Sequence, residues 1–447
     1  MKFHLIDNIY EFLHPSVLKR VVRGIVLYTL VMFARLVLRK YQPHIIGITG
    51  SVGKTSTKDL IYTIVRNREF TWKSIKSYNH GFGLPLAVLG LSTGWNNPFV
   101  WAMNLVRAST YIVLKRAYPK TLVLELGVGA PGDLKQAMKW VKPDVAVVTS
   151  IGTTPVHVEF FESPEMLVRE KSELVRALPD GGIAILNRDD ESVYTMRTLT
   201  KAKVLTYGFS SEADFRASHN VFMYSENNEL IGITFRVDYE GKSIPVRLRG
   251  VLGRGQIYVV LAALATAISQ GVAPLEAVEA IERHSPPPGR ARILPGVKGT
   301  TIIDDTYNSS PVAVHSMLEA IKTIDVLGRK IAVLGDMMEL GQYTKEEHEK
   351  VGVMVASVAS DLFVVGQRAA FIAQSAEDAG MSKEHIFVFD TAPSAGVYLE
   401  HYLKPDDLVL IKGSQAVRLE RIVEEIMAEP ENKEKLLVRQ EPEWKKR

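Results

Sequence analysis

One short segment constrains the fold more than any other part of this chain. The apolar run His44–Thr49 is followed by Gly50-Ser51-Val52-Gly53-Lys54-Thr55-Ser56 and then by a helical pattern that continues to Val65. Glycines let backbone N–H groups curl around phosphate oxygens, and the start of a helix favours negative charge. Lys54 would reach the outer phosphates, and Thr55 would bind magnesium. The segment therefore predicts a nucleotide site at the end of a buried strand, with a purely structural turn as the alternative.

The same alternation of short apolar runs and longer helical patterns continues along the chain, which predicts an α/β fold with a mostly parallel sheet. Between Val204 and Leu248, shorter alternating segments with turn residues predict hairpins at the edge of that sheet. Helical patterns follow at 257–269 and Pro274–Glu282. The further predicted strands lie at 121–126, 145–149 and 182–187 in a first sheet, and at 301–303, 330–334, 362–365, 386–389 and 408–411 in a second.

These patterns divide the 447 residues into four parts, because a chain of this length exceeds one compact core. Three consecutive prolines at 286–288 stiffen the joint between the two sheets. We predict a helical N-terminal segment over 1–43 and a P-loop central domain over 44–288. A C-terminal Rossmann-like α/β domain over 289–428 and a charged, frayed tail over 429–447 complete the chain.

The amino-terminal segment is both apolar and basic. Arg23 and Arg35 leave an uncharged run over 24–34, which is shorter than the roughly 18 to 20 residues that span a bilayer. The pattern predicts either a basic helix lying in a membrane interface or a helix packed on the body of the protein. A second apolar and basic stretch, 99–116, could join it in one patch.

Composition excludes some chemistry. The chain has no cysteine, which excludes cysteine nucleophiles and thiolate metal ligands. The formal net charge of +4 is small for this length, and no zinc-finger or RNP-like pattern occurs, so we expect no nucleic-acid partner. Catalysis has to use other side chains.

An acidic residue, Glu125, closes the apolar run at 121–126. A carboxylate is costly to bury unless positive charge meets it. Magnesium at the neighbouring phosphate loop would supply that charge. The alternative is a glutamate that reaches solvent at the end of its strand.

Further strings, in this order, resemble the Mur ligase family. They are Asn79-His80-Gly81-Phe82-Gly83, Glu125-Leu126-Gly127, His157-Val158-Glu159, Glu170-Lys171-Ser172-Glu173, Pro288-Gly289-Arg290 and Asp304-Asp305-Thr306-Tyr307-Asn308. Two more are similar to the branch that adds D-alanyl-D-alanine to a UDP-linked muramoyl tripeptide, Gly335-Asp336-Met337-Met338-Glu339-Leu340-Gly341 and Lys412-Gly413-Ser414. The resemblance covers about 45–425, and the set is far more specific than any single string.

The resemblance implies a cytoplasmic ATP-dependent amide ligase of cell-wall peptide assembly. An acceptor carboxylate takes the γ-phosphate of ATP, and the amine of a donor such as a dipeptide attacks the resulting acyl phosphate. Cations around the γ-phosphate are the expected equipment for such a reaction. By resemblance these are Lys54, Arg290 and two magnesium ions, the first held by Thr55 and Glu125 and the second by His157 and a carbamylated Lys171.

The resemblance also implies the remaining contacts. Asp305 and Tyr307 would reach the ribose or base of the nucleotide, and the substrate contacts would be Asn79, Asp336, Glu339 and His348. Without the resemblance, His157 is an ordinary satisfied histidine, Lys171 an exposed helix charge and Asp305 a capping residue in a turn.

Two departures from the family pattern leave the substrate open. The family string Gly-x-His-Asn-x-x-Asn is replaced by Gly253-Arg254-Gly255-Gln256, so that Gln256 would substitute for an adenine-binding asparagine. The nucleotide-binding strand already begins at His44, so we expect the family's separate UDP-gripping domain to be missing. The acceptor is then a cell-wall peptide, or a non-UDP carboxylate presented at a membrane surface. A membrane-associated nucleotide-binding protein without ligase activity is the remaining alternative.

Overall fold

A computed structural model of the chain describes residues 15–75, 78–79, 81–94, 97–441 and 444, with side chains from residue 21 onward. The expectations for residues 1–14, for His80 and for the last residues of the tail lie outside this part of the chain.

The first sheet belongs to the amino-terminal half. Within the described residues it has nine strands in the order β2-β3-β1-β4-β5-β6-β7-β8-β9. Neighbours from β2 to β7 run parallel, and β7, β8 and β9 pair antiparallel at one edge, which confirms the predicted hairpins. The strands are β1 (His44–Thr49), β2 (Thr71–Lys73), β3 (Thr121–Glu125), β4 (Val145–Val148), β5 (Ile183–Asn187), β6 (Lys203–Gly208), β7 (Phe215–Tyr224), β8 (Leu230–Tyr239) and β9 (Lys242–Arg249).

Helices cover both faces of this sheet. Because successive side chains of a strand point to opposite faces, Ile46 and Ile48 of β1 enter one core while Ile45 enters another. The strands are apolar on both faces for this reason. The helices are α1 (Pro15–Tyr41), α2 (Lys54–Val65), α3 (Gly83–Leu89), α4 (Pro98–Val113), α5 (Asp133–Ala137), α6 (Pro164–Arg176), α7 (Glu191–Tyr194), α8 (Arg254–Ser269) and α9 (Pro274–Glu282).

The second sheet follows the proline-rich joint. In the described part of the chain it has six strands in the order β10-β11-β15-β12-β13-β14, parallel except for β10. The strands are β10 (Arg292–Pro295), β11 (Thr301–Asp305), β12 (Lys330–Gly335), β13 (Asp361–Val365), β14 (Ile386–Phe389) and β15 (Leu408–Lys412). The helices are α10 (Pro311–Lys322), α11 (Thr344–Ala356), α12 (Ala370–Asp378), α13 (Ala392–Tyr402), α14 (Glu420–Ile426) and α15 (Lys433–Leu436).

The tail is ordered, and the expectation that it frays is wrong for residues 429–441. Leu437, Val438 and Arg439 are buried. The Arg439 guanidinium donates to the backbone carbonyl oxygens of Thr306 and Tyr307. Hydrogen bonds and apolar burial outweigh the chain entropy that the charged composition suggested.

Helix α1 combines the two alternatives that its sequence left open. Leu30, Ala34 and Val37 are fully buried against the body of the protein, whereas Ile25 and Tyr28 on the opposite face are exposed. By length and hydropathy, the stretch Val21–Tyr41 is also the one candidate membrane span in the described residues, with 22% of its most apolar window buried. One side of the helix therefore packs against the protein, and its exposed side is apolar as well.

We predict that the two faces of α1 contribute unequally to stability. Leu30→Ala should lower the free energy of unfolding by about 2–5 kcal/mol, because it leaves a cavity in the core. Ile25→Ala on the exposed face should change it by no more than about 0.5 kcal/mol. Urea unfolding followed by circular dichroism measures both. Equal effects of the two variants would contradict the packing of α1.

Candidate active site

The phosphate loop between β1 and α2 is held open by its backbone. Gly50 has φ +140°, and a Cβ there would lie 1.9 Å from Thr149 Oγ1. Gly53 precedes α2 in the left-handed region at φ 86°. The backbone N–H groups of Ser51 and Val52 donate to the Ser150 carbonyl oxygen, at 2.8 and 3.1 Å, which fixes the loop beside β4. Ser51 and Val52 thus anchor the loop. The N–H groups at the start of α2 point into the space beyond the loop.

A cavity of about 300 Å³ lies at this loop, between the two sheets. Three buried polar atoms among its lining residues have no hydrogen-bond partner in the described part of the chain, namely Ser51 Oγ, Arg290 Nε and Ser309 Oγ. Buried polar groups are normally satisfied, so three unpaired donors around one cavity fit a ligand rich in acceptor oxygens. The lining also contains Lys54, Thr55, Asn79, Glu125, His157, Lys171, Asp305, Tyr307 and Lys412.

The buried carboxylate of Glu125 organises one wall of the cavity. Thr55 Oγ1 donates to its Oε2 at 3.0 Å, and Asn79 Nδ2 donates to its Oε1 at 2.9 Å. Lys58, also buried, places its Nζ 3.7 Å from Oε2. A hydroxyl and a carboxylate oxygen side by side suit magnesium, which takes a few protein oxygens and completes its shell with phosphates and water. Among the described residues, no group of three or more His, Asp or Glu side chains is placed to hold a metal ion, so such an ion would depend on the nucleotide.

Lys171, which is buried, and Lys54, which is half-buried, lie close enough at the loop to interact electrostatically. The Lys171 Nζ donates to the Gly50 carbonyl oxygen at 2.9 Å. Burial, reinforced by the charge of Lys54, holds the pKa of Lys171 well below its usual range. Burial also lowers the pKa of Lys54, against the attraction of Glu125. The lowered pKa increases the fraction of Lys171 that is a neutral amine, and carbamylation requires this neutral form. The carbamate itself stays a prediction.

His157 is engaged by the opposite domain. Its Nδ1 lies 2.6 Å from Glu339 Oε2, and this contact lowers the pKa of Glu339. The Glu159 N–H also points to the Glu339 carbonyl oxygen at 3.5 Å. His157 would have to release Glu339, or share it, before it could bind an ion together with Lys171.

Residues of the second domain close the cavity. The Arg290 guanidinium lies over the Tyr307 ring, with 3.7 Å from Cζ to the centroid, and its Nη2 is 3.5 Å from Thr55 Oγ1. Lys412, almost fully buried, donates to Asp305 Oδ2 at 2.6 Å. The predicted residues from the two halves of the sequence thus meet at one site.

Other predicted residues lie elsewhere. Ser56 and Gln256 line a separate narrow cleft, where the Gln256 side chain donates to the Arg290 carbonyl oxygen at 2.9 Å. Its role in base recognition stays a prediction. Asp336 accepts from the Ala369 N–H at 2.8 Å within its own domain.

The predicted substrate contact of His348 stays a prediction, and the structure places this side chain in the interior of the second domain. The ring is fully buried, its Nε2 accepts from the Met337 N–H, and its Nδ1 contacts the Thr344 carbonyl oxygen. Burial lowers its pKa. His348 therefore supports the loop that carries Glu339 from inside, because both of its ring nitrogens are already used.

Three residues at or beside the site were not predicted to contribute to it, although Lys412 stands in one of the strings that carry the resemblance. Lys412 ends an apolar strand just as Glu125 does, so the argument used for Glu125 would have found it. Lys58 lies one helical turn after Lys54, on the same face of α2. Arg439 gave no local signal, because its partners Thr306 and Tyr307 lie in a distant part of the sequence.

Comparison with known proteins places this geometry among related enzymes. Residues 48–267 match the model of the Mur ligase middle domain, and residues 289–415 match that of the Mur ligase glutamate ligase domain. The UDP-N-acetylmuramoyl-tripeptide--D-alanyl-D-alanine ligase of Bacillus subtilis is 26% identical over 408 residues, which cover 90% of this chain and 80% of the relative. The Mycobacterium tuberculosis enzyme of the same name is 30% identical over 406 residues, covering 86% and 73%.

A solved structure is similar over nearly the same extent. The crystal structure of MurF ligase from Thermotoga maritima in complex with ADP superposes with a TM-score of 0.73 at 27% identity. The match covers 91% of this chain and 84% of that one. Both sheets and the joint between them therefore have counterparts in a nucleotide-bound ligase.

We predict that Gly50→Ala abolishes measurable ATP binding, because the added methyl group would displace the phosphate loop from Thr149. Gly24→Ala is the matched control, since a Cβ at Gly24 meets nothing within 4 Å. The control should keep full affinity and gain up to about 1 kcal/mol in stability from its helical position. Isothermal titration calorimetry compares them. Unchanged affinity in Gly50→Ala would contradict the placement of the nucleotide.

Proposed function

Because the chain belongs to the Mur ligase family, we propose that this ATP-dependent ligase adds D-alanyl-D-alanine to the carboxylate of a UDP-linked muramoyl tripeptide. The relatives that it matches over most of their length carry that activity in their names. The observation that carries the proposal is the single cavity at which Lys54, Glu125 and Lys171 of one domain meet Arg290 and Lys412 of the joint and the other domain.

The first chemical step transfers the γ-phosphoryl group of ATP to the acceptor carboxylate. A carboxylate oxygen attacks phosphorus, the bond to the β–γ bridging oxygen breaks, and ADP leaves. The side chains have little covalent work to do, so they position the reactants and neutralise charge. Lys54 and the Arg290 fork face the phosphates, and stacking on Tyr307 holds the guanidinium in place.

Magnesium would supply charge neutralisation at the β- and γ-phosphate oxygens. Thr55 and Glu125 fit a first ion, since their oxygens are already adjacent. Lys171 as a carbamate, with His157, would hold a second. Lys58 keeps Glu125 charge-compensated in the ion's absence.

The second step joins the acyl phosphate to the incoming amine. The nitrogen lone pair attacks the acyl carbon, the amine loses a proton, and inorganic phosphate leaves. The loop that carries Glu339 reaches the cavity through His157, which lines it. This position suits a donor amine that approaches from the second domain.

We also propose that the enzyme works in the cytoplasm, against the inner face of the membrane. The exposed apolar residues of α1 and α4 support this location. The second candidate function follows from the same observation: a related carboxylate presented at the membrane surface would replace the soluble UDP-linked acceptor.

We expect phosphate release only when ATP, the UDP-linked tripeptide and D-alanyl-D-alanine are present together. Assays that omit one reactant at a time test this requirement. A tripeptide without the UDP-sugar, used in place of the full acceptor, distinguishes the two candidate acceptors. Lys54→Met should lower kcat by about a hundredfold or more, whereas Lys201→Met, an exposed lysine far from the cavity, should not. Tight ATP binding with no turnover for either acceptor would instead indicate a nucleotide-binding protein without ligase activity.

Carbamylation of Lys171 has its own test. We predict a carbamate signal in carbon-13 NMR after incubation with labelled bicarbonate, lost on acidification because the protonated carbamate releases carbon dioxide. Lys171→Arg should abolish both the signal and turnover. Short carboxylic acids should partly restore turnover in Lys171→Ala by filling the same space. A fully active Lys171→Arg variant would rule out the carbamate.

A further inference from the structure

Helix α1 exposes an apolar stripe that nothing in the described structure covers. Ile25, Tyr28, Met32 and Leu36 follow each other at helical spacing on the face opposite the buried Leu30, and Tyr28 is 73% exposed. Single exposed apolar residues are common on soluble proteins, but a continuous stripe marks a contact surface.

Helix α4 repeats this arrangement beside α1. Phe99, Met103, Val106 and Val113 form its exposed stripe, with Phe99 84% and Val113 78% exposed. The Lys40 Nζ at the end of α1 donates to the carbonyl oxygens of Tyr111, Ile112 and Leu114 at the end of α4. The two helices therefore lie side by side, and their stripes form one apolar surface.

The two helices and the chain segments that flank them carry charge of one sign only. No Asp or Glu occurs between Glu11 and Asp59, or between Glu69 and Glu125. The cations on or beside the stripes include Arg35, Arg39, Arg107 and Lys115, all exposed. Such a surface is complementary to negative charge and repels a second copy of itself. An anionic membrane interface offers both negative headgroups and an apolar layer.

A cavity of about 420 Å³ lies at the basic end of the α1 stripe. Four cationic side chains line it, Arg35 and Arg39 from α1 and Lys139 and Lys142 from the segment before β4, together with Trp140. The carboxylate of Asp144 also lines it, but already accepts from the Ile45 N–H at 2.8 Å. Among the described residues, Arg35 and Arg39 have no hydrogen-bond or ion-pair partner. Lys142 uses one donor on the Met138 carbonyl oxygen and keeps others.

We propose that this cavity binds the phosphate of an anionic phospholipid while the α1 and α4 stripes enter the membrane interface. The inference rests on the membrane location proposed above and names its surface and its ligand. The helix lies in the plane of the interface rather than crossing it, because crossing would strip Leu30, Ala34 and Val37 from the core. The two guanidinium groups provide planar forks that match phosphate oxygens.

The lipid cavity and the catalytic cavity lie at opposite ends of β1. Gln42, Pro43 and Ile45 line the first, whereas the loop after Thr49 lines the second. A six-residue strand separates the two sites, which corresponds to roughly 20 Å. Lipid and nucleotide can therefore bind at the same time.

The test is co-sedimentation of the full chain with phosphatidylcholine vesicles, with and without phosphatidylglycerol. We expect binding to the anionic vesicles and little to the neutral ones. Arg35→Glu combined with Arg39→Glu should weaken binding by about tenfold or more. Lys242→Glu combined with Lys383→Glu is the matched control, because it makes the same change in net charge at exposed positions, one at the far edge of the first sheet and one in the second domain. The assay is repeated with an excess of soluble glycerol phosphate, which competes for the cavity. Loss of vesicle binding would show that the cavity also binds the free phosphate, whereas unchanged binding would show that it needs the headgroup in a membrane.

The apolar stripes need a second pair of variants. Tyr28→Ser with Met103→Ser should reduce vesicle binding, whereas Leu275→Ser with Leu327→Ser, a pair of exposed apolar residues elsewhere, should not. Equal binding to neutral vesicles, wild-type binding by the Arg35 and Arg39 variant, or a dimer that forms through the stripes would overturn the proposal. Phosphate release in solution, measured on the same variants, should be unchanged. If the wild-type chain released no phosphate, that result would instead count against the ligase function.

Discussion

A carboxylate buried at the end of a parallel strand has to be met by positive charge, and the arrangement around Glu125 follows from that demand. Lys58 approaches it from α2, while the Thr55 hydroxyl and the Asn79 amide donate to its two oxygens. Its position is fixed by β3, which lies directly beside β1 in the sheet. The strand pairing therefore brings the carboxylate to the phosphate loop, although the two are far apart in sequence. A metal ion at this place would substitute for part of the compensation that Lys58 provides.

The second domain contributes through a short series of cross-joint contacts. Asp304, buried in β11, accepts from the Gly289 N–H at 3.1 Å, and burial raises its pKa to about 6. The next residue, Asp305, accepts from Lys412 and from the Ala291 N–H. Arg439 holds the carbonyl oxygens of Thr306 and Tyr307. The loop that faces the nucleotide is thus tied to the joint on one side and to the tail on the other, so that Arg290 and Tyr307 move as one unit.

Local signals predicted much of this molecule. Hydrophobic periodicity and the turn residues between elements predicted the order of strands and helices, because both signals depend on neighbouring residues. The element His44–Thr49 and the helix Pro274–Glu282 have the predicted bounds. The signal that predicted the phosphate loop also lies in consecutive residues. The contacts of Lys412 with Asp305, 107 residues away, and of Arg439 with Tyr307, 132 residues away, depend on tertiary packing, so no local pattern identifies these partners. The burial of His348 was missed for the same reason: an amphipathic helix does not reveal how deeply one polar residue is buried.

Catalysis and the proposed membrane contact place different demands on the two halves of the chain. A ligase that exchanges ATP, a peptide acceptor and an amine donor has to open, and opening means separating Glu339 and Tyr307 from the phosphate loop. Both residues belong to the second domain. Helices α1 and α4 pack in the core beside β1 and β3, within the first domain. The proposed membrane contact through these helices would hold the phosphate loop and Glu125 at a fixed place and would leave the second domain free to swing. Because the lipid cavity lies at the far end of β1, this motion changes neither its lining nor its charge.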